Sequence, residues 1–466
     1  MQQKTETETG KTQALKSKLT ELANRYRARD YANFSKILLD VKHLDPENPN
    51  AIHLEGLYAL QVENDVSKAH TLVTQASEIL PDNTAINHNL ATIKITRGEF
   101  VEAERLLLNV INSKPDYAEA FHTLATIRSF QTGDPIIEMM EALATRKNFS
   151  PADGSFLCFA LAKAYDDIGR YEEAWRVLVQ GNNLMEENYP SRKYPEGLKQ
   201  VKKNYTIDSL NKKAEFGHPS KAPIFIVGMP RSGTTLLESV LGINPLIRNA
   251  GELTAIQSLA KKTAEIYSTN PNSVGHAELI KAIPEDHLFR WGEAYLNYAQ
   301  SQLTTWTEYF TDKLPDNSFN LGLISLILPN AKFVHMRRNP LDITLSIYFQ
   351  RFTNLNYGFK INTIVEHYRN YQRFMEHWHK VFKSKRLIIV DYEDLVEDKD
   401  SVYDHIHSKL ELTIPKKNIP TRQKFQNVST ASRWQSRQPI YTSSKQKWKK
   451  YEEQLMATEA AELLYS

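Results

Sequence analysis

Residues Gly228 to Thr235 read GMPRSGTT, with the apolar run PIFIV before them and the helical pattern LLESVLG after. Strand, glycine turn and helix form the setting of a phosphate-binding loop. Main-chain N–H groups at a helix start point outward and carry partial positive charge, so such a turn attracts an anion. Gly228 and Gly233 let the backbone come close to that anion. Ser232, Thr234 and Thr235 add hydroxyl donors, and Arg231 adds a fixed cation able to bind two oxygens at once. The loop that cradles nucleoside triphosphates is written G-x-x-x-x-G-K-[ST]. Here Thr234 stands where that lysine would be. The set is poorly equipped for a γ-phosphate with its magnesium and well equipped for a 5′-phosphate, or a phosphate joined to sulfate. The competing reading is a tight strand-to-helix turn with no ligand.

A second cationic phrase, AKFVHMRRNPLDITLSIYFQRF, ends its strand run in Arg337 and Arg338. A nucleoside triphosphatase wants an acid there to hold magnesium. Two arginines suit a further phosphate and repel a metal. Three other stretches carry candidate chemistry. Glu252 lies in RNAGEL, where the alternative is a helix-capping acid. Lys313 lies in TDKLPDNSFNLGLI, where the alternative is a solvated lysine. Asp316, Asn317 and Asn320 beside it are placed to brace the loop or cap the next helix. The stretch NVSTASRWQSRQPIYTSSKQKWKKYEEQL is basic and aromatic together, a composition that also fits a nucleic-acid patch.

The phrases KAPIFIVGMPRSGTTLLESVL and AKFVHMRRNPLDITLSIYFQRF together resemble the 5′-phosphosulfate and 3′-phosphate segments of sulfotransferases that use 3′-phosphoadenosine-5′-phosphosulfate. The resemblance implies an α/β P-loop-NTPase-like three-layer domain with a parallel sheet and no metal. It puts Arg231, Ser232, Gly233, Thr234 and Thr235 at the donor's 5′ end, and Arg338 and Ser346 on its 3′-phosphate. Glu252 stands at the same remove from Arg231 as the proposed catalytic glutamate of tyrosyl-protein sulfotransferases from their loop arginine. Lys313 similarly matches the lysine that steadies their leaving group. On that match Glu252 is the general base and Lys313 stabilises the leaving oxygen. Those enzymes carry a further arginine where this chain has Gln350 followed by Arg351. Cytosolic sulfotransferases use a histidine instead. His335 and His276 are the alternatives, although His335 lies inside a strand run and also reads as a packed core histidine.

The basic, aromatic stretch resembles the carboxy-terminal loop that closes over the nucleotide in bacterial sulfotransferases. That gives Ser444 the role of a second transition-state donor and makes Lys445 and Trp448 donor contacts. Tyr392, in VDYEDLV, matches a family position near the adenine, or else is an ordinary strand-end aromatic. Sulfuryl transfer asks for positioned partners, stabilised charge on the leaving oxygen and a base for the acceptor proton. The implied acceptor is a hydroxyl, with a tyrosyl or phenolic one favoured; a carbohydrate or small alcohol is open. The competing classes are a nucleotide-binding repeat scaffold without catalysis and a P-loop kinase.

Two further regions hold the chemistry in place. Pro46, Pro81 and Pro115 close the phrases DPEN, LPDN and KPDY at a period of about 34 residues, and Ala69 and Ala103 repeat in step. This resembles the tetratricopeptide repeat, helix–turn–helix units that stack because none buries its apolar face alone. About five copies fit between Leu15 and Glu187, the fourth distorted in its second half by QTGDP. The boundaries read as a disordered start over 1–14, an all-α solenoid over 15–187, a linker with one helix over 188–221, and an α/β domain over 222–466. The concave face of the solenoid is a candidate site for a peptide or protein.

The bulk of the chain fits this plan. Its 466 residues allow two or three domains, and 41% hydrophobic and 24% charged residues are ordinary for a globular protein. With a net charge of +3, no overall field argues for nucleic acid or an anionic membrane, and neither is expected as a partner. The single cysteine, Cys158, suits a reducing compartment. The polar start MQQKTETETGKTQ lacks a signal-peptide core, and no run of about 18 apolar residues occurs. These features lead to a cytoplasmic expectation.

Overall fold

In the first helix pairs, asparagines set the starts and prolines follow the ends. The computed structural model describes residues 2–146, 149–186, 189–267, 274–275, 277, 279–303, 305–352, 355–412 and 445–465. Asn48 and Asn83 each cap a helix, Pro49–Gln61 and Thr84–Arg97, by accepting main-chain N–H bonds in its first turn. The partner helices, Val66–Ile79 and Phe100–Ser113, end with one residue, Leu80 or Lys114, left before Pro81 and Pro115. Ala69 and Ala103 are fully buried. A Cβ on Gly56 would approach Val73 Cγ2 to 2.6 Å, so the paired helices meet through small residues. In the fourth copy the first helix, Ala118–Ala125, has only 8 residues. The chain then turns through Gly133, at φ +83°, before the helix Pro135–Ala144. The distortion expected from QTGDP therefore falls ahead of the second helix.

The described chain forms two compact units, the first ending at Gly169 and the second beginning at Arg170. The helix Tyr171–Asn183, expected to close the solenoid, lies in the second unit. Its aromatic face is the reason. The Trp175 ring centroid lies 5.5 Å from that of Tyr348 and 6.0 Å from that of Tyr451. Asn182 also donates to the Tyr348 carbonyl at 3.1 Å. The expected linker with one helix holds two, Lys193–Asn204 and Ile207–Lys213, and a 3₁₀ turn at Ala214–Phe216. Leu198, Val201, Tyr205 and Leu210 give it a buried face at helical spacing. Tyr205 is wholly buried against Trp378, ring centroids 5.7 Å apart.

The second unit is built on a sheet of five parallel strands. They are β1 (Pro223–Gly228), β2 (Ile247–Asn249), β3 (Tyr309–Asp312), β4 (Lys332–Arg337) and β5 (Leu387–Asp391). Their spatial order is β2-β3-β1-β4-β5, all pairs parallel. Strand side chains alternate between faces, and both faces are covered. Ile224, Ile226, Val334, Met336, Ile388 and Val390 pack with the helices Thr234–Leu241 and Lys399–Lys409. On the opposite face Phe225 meets Tyr295 of Glu285–Gln302, and Phe333 meets Phe382 of Ile361–Arg386. This is a three-layer α/β domain.

The chain leaves β1 toward β2 on one side, whereas β4 leads away to β5 on the other. The crevice between the carboxyl ends of β1 and β4 is thus the topological switch point, where open parallel sheets hold ligands. Removing one large buried side chain of the helical prelude tests how far it belongs to this unit. Tyr205→Ala is expected to cost about 3–5 kcal/mol, read as a lower urea midpoint for the tryptophan-fluorescence transition.

Candidate functional site

The loop after β1 supports a strained but well-braced conformation. Arg231 adopts φ +70° and Gly233 φ +101°, both left-handed. Gly233 is obligatory in two ways: its conformation suits glycine, and a Cβ there would reach 2.5 Å from Tyr392 Cδ2. Ser232 is fully buried and Thr234 opens the helix Thr234–Leu241, with Thr235 next and half-buried. The loop therefore delivers main-chain N–H groups and two threonines at a helix start, as its sequence predicts.

The second motif meets the first. Arg231 Nε donates to Ser346 Oγ at 3.0 Å, across 115 residues. Arg338 donates to the Arg231 carbonyl at 3.0 Å, and its guanidinium lies 4.5 Å above the Tyr392 ring. Of the two arginines at the end of β4, Arg337 is held by both carboxylate oxygens of Asp391, at 2.8 Å each. Arg338 is the one turned toward the loop. Ser346 sits in the helix Pro340–Tyr348, whose start is fixed by the Asn339 side chain. Cation, hydroxyls and helix start thus face one crevice, a donor set that fits a nucleotide carrying separate phosphates.

Glu252 and Lys313 also come together. Lys313 follows β3 with a side chain only 1% exposed, and its Nζ lies 2.6 Å from Glu252 Oε1. Lys313 N–H donates to the Gly251 carbonyl at 2.7 Å, which ties the two turns. Asp316, on the turn Pro315–Phe319, is pushed up to about 6 by burial and then by the nearby Glu252 carboxylate. Asn320 takes the start of helix Leu321–Ile327 without a side-chain bond to it, and the Asn317 amide is buried without a hydrogen-bond partner, so neither supplies the expected brace.

The remaining candidates are placed as follows. His335 is buried in β4, with Nδ1 2.8 Å from His379 Nε2 and Nε2 2.5 Å from the Tyr371 hydroxyl. Burial first, then His379 and Arg337, hold it well below the ordinary imidazole range. Both ring nitrogens are engaged, as a core histidine's are. Lys445 pairs with Glu397. Trp448 is 7% exposed, and its main-chain N–H donates to Asp342 Oδ1 at 3.0 Å. Gln446 N–H reaches the other oxygen of Asp342 at 2.9 Å, so one buried carboxylate fastens this segment to the Ser346 helix. Ser444 and His276 lie outside the described residues.

Sequence reasoning missed the acids behind the site. Glu238 is 7% exposed and accepts from Gly251 N–H and the Thr311 hydroxyl. Asp312 ends β3, beside β1, where a triphosphatase could keep a magnesium-binding acid. Here it accepts from the Tyr295 hydroxyl at 2.8 Å, and burial raises it from 3.8 to about 8, against opposing hydrogen bonds from Tyr295 and Leu253. It is therefore protonated at neutral pH and a poor cation ligand. The available signal was Glu238 itself, an acid inside the apolar phrase LLESVL.

Residues 223–416 match the sulfotransferase family, and residues 63–127 match the tetratricopeptide repeat. The chain thus carries a sulfotransferase-family domain together with a tetratricopeptide region. An uncharacterized protein of Aquifex aeolicus (strain VF5) is 28% identical over 419 residues, 85% of this chain and 52% of the relative. The chain spans about half the length of that curated relative. Similar solved structures include the sulfotransferase domain of the Synechococcus PCC 7002 olefin synthase, 21% identical, covering 50% of this chain and 89% of that one, at a TM-score of 0.35. A sulfotransferase from Alicyclobacillus acidocaldarius is 16% identical, covering 53% of this chain and 94% of that one, at a TM-score of 0.32. No helix among the described residues is long and apolar enough to cross a membrane.

The protonated Asp312 predicts a pH dependence of known sign. Between the ordinary carboxylate range and about 8, the folded state keeps a proton that the unfolded chain has lost, so stability falls as pH rises. Glu238, also raised by burial, adds in the same direction. Asp312→Asn keeps an acceptor for Tyr295 and removes the proton. Its urea midpoint is expected to decline less steeply than that of the wild type from about pH 5 to 8.

Proposed function

We propose that the protein transfers a sulfuryl group from 3′-phosphoadenosine-5′-phosphosulfate to a hydroxyl acceptor. The observation that carries the reading is the bond between Arg231 and Ser346, which joins the two anion-binding motifs in one crevice. A triphosphate needs its cations in a row along one chain of phosphates; a donor with anionic groups on the 3′ and 5′ carbons of one ribose needs two anion-binding motifs side by side, as Arg231 and Ser346 bring them. Arg231, Ser232, Gly233, Thr234 and Thr235 hold the phosphosulfate end, and Arg338 and Ser346 hold the 3′-phosphate. Tyr392, Lys445 and Trp448 complete the nucleotide's surroundings, and Ser444 is a second transition-state donor. Neither assignment calls for a metal.

Glu252 accepts the acceptor's proton as its oxygen bonds to sulfur. The bond from sulfur to the donor's phosphate oxygen breaks, and Lys313, beside that oxygen with Arg231, takes up its charge. The pair at 2.6 Å keeps the base and the cation beside each other. The Glu-and-Lys pattern, similar to that of tyrosyl-protein sulfotransferases, favours a tyrosyl or other phenolic acceptor. The tetratricopeptide region supplies a surface for a peptide or protein, and the reaction is cytoplasmic.

Two measurements test the reading. In thermal-shift assays 3′,5′-adenosine bisphosphate should stabilise the protein more than ATP with magnesium; a ligand at 100 times its Kd contributes about 2.7 kcal/mol. A preference for ATP overturns the donor assignment and favours a kinase. Glu252→Ala is expected to lower kcat about 10²–10⁴-fold, and Lys313→Ala about 10²–10³-fold, with a phenolic acceptor. Wild-type turnover in both variants sinks the catalytic assignment.

A further inference from the structure

One carboxylate lies between the donor loop and the Glu252–Lys313 pair. Glu238 Oε1 accepts from Gly251 N–H at 3.0 Å and from Thr311 Oγ1 at 2.8 Å. Gly251, at φ +69°, immediately precedes Glu252, and Thr311 stands two residues before Lys313 on β3. Two main-chain bonds close the set: Ala250 N–H to the Thr311 carbonyl at 3.1 Å, and Lys313 N–H to the Gly251 carbonyl at 2.7 Å. Glu238 itself projects from the helix whose first residue, Thr234, belongs to the donor loop. Lys313, Glu252 and Asp312 are the charged and titratable groups that face it. Burying a carboxyl here costs free energy that an apolar side chain would not. The site therefore gains something from an acceptor at this spot.

We propose that Glu238 is a positioning residue. It ties the helix that begins at the donor loop to the turn carrying Glu252 and to the strand tip carrying Lys313. Main-chain bonds already join the turn to the strand tip, and this one side chain sets their distance from the helix of the donor loop. The proposal rests on the sulfuryl-transfer reading above. Such spacing matters because a misplacement of about 1 Å can cost about 100-fold in rate.

The test uses the full-length protein with Glu238→Ala, which removes both bonds, Thr311→Val, which removes one, and Glu238→Gln, which keeps the accepting oxygen. Three readouts are taken: affinity for 3′,5′-adenosine bisphosphate by calorimetry, single-turnover transfer to a phenolic acceptor at saturating donor, and amide hydrogen exchange at Gly251. Glu238→Ala is expected to slow transfer about 100-fold and to speed exchange at Gly251, while bisphosphate affinity holds. Thr311→Val should shift both in the same direction by less, and Glu238→Gln should restore most of each. Wild-type transfer and exchange in Glu238→Ala overturn the proposal, as does a loss of bisphosphate affinity in step with rate. If Glu238→Ala fails to fold, Thr311→Val decides: unchanged transfer and exchange refute the brace. If the wild type transfers sulfate to no acceptor, the functional reading falls, and exchange at Gly251 alone still judges the brace.

Discussion

A lysine side chain 1% exposed obliges the protein to pair it at close range. An unpaired cation away from water is costly, and the cost is lowered by opposite charge and hydrogen bonds at close range. Lys313 has Glu252 at 2.6 Å, with Glu238 and Asp312 close by. Those acids come from three different places: the turn after β2, the helix after β1 and the end of β3. The ion pair with Glu252 joins the turn after β2 to the end of β3, and Glu238 reaches both through hydrogen bonds. Packing on both faces of the sheet then holds them, through Phe225, Phe333 and the aliphatic set around Ile226.

The same requirement separates two kinds of acid. Glu252 faces the crevice, half-open to solvent, with the lysine at its oxygen. Asp312 turns the other way, to the Tyr295 hydroxyl, and keeps its proton. Two carboxyls near one lysine would otherwise compete for it. Burial keeps Asp312 out of that competition, and Glu252 is the acid at the lysine's nitrogen.

What could be read beforehand follows from how local each signal is. The loop was legible because Gly233 needs a left-handed backbone and the strand–turn–helix pattern surrounds it within a dozen residues. The convergence of Arg231 with Ser346 required the sheet order, which only resemblance supplied. Glu252 and Lys313 were found by spacing against a known family; no local pattern marks either. Glu238 and Asp312 were passed over because burial is a tertiary property, and an acid in a short helix reads as its solvent face. The stretch 188–221 looked like a linker because its lysines and prolines mask the helical spacing of Leu198, Val201, Tyr205 and Leu210. The helix Tyr171–Asn183 misled in the opposite sense: its spacing reads as a repeat helix, while its Trp175 packs within the second unit.

Gly233 bears a wider consequence. Its missing side chain is the space occupied by Tyr392, which follows β5 far downstream. The cradle after β1 is therefore moulded by a residue that leaves the ribosome long after the loop itself. Contacts of such large sequence separation pay a closure entropy before they repay it. A growing chain that has already exposed its glycine-rich turn holds an unshaped anion site, and the site acquires its form only when the last strand docks.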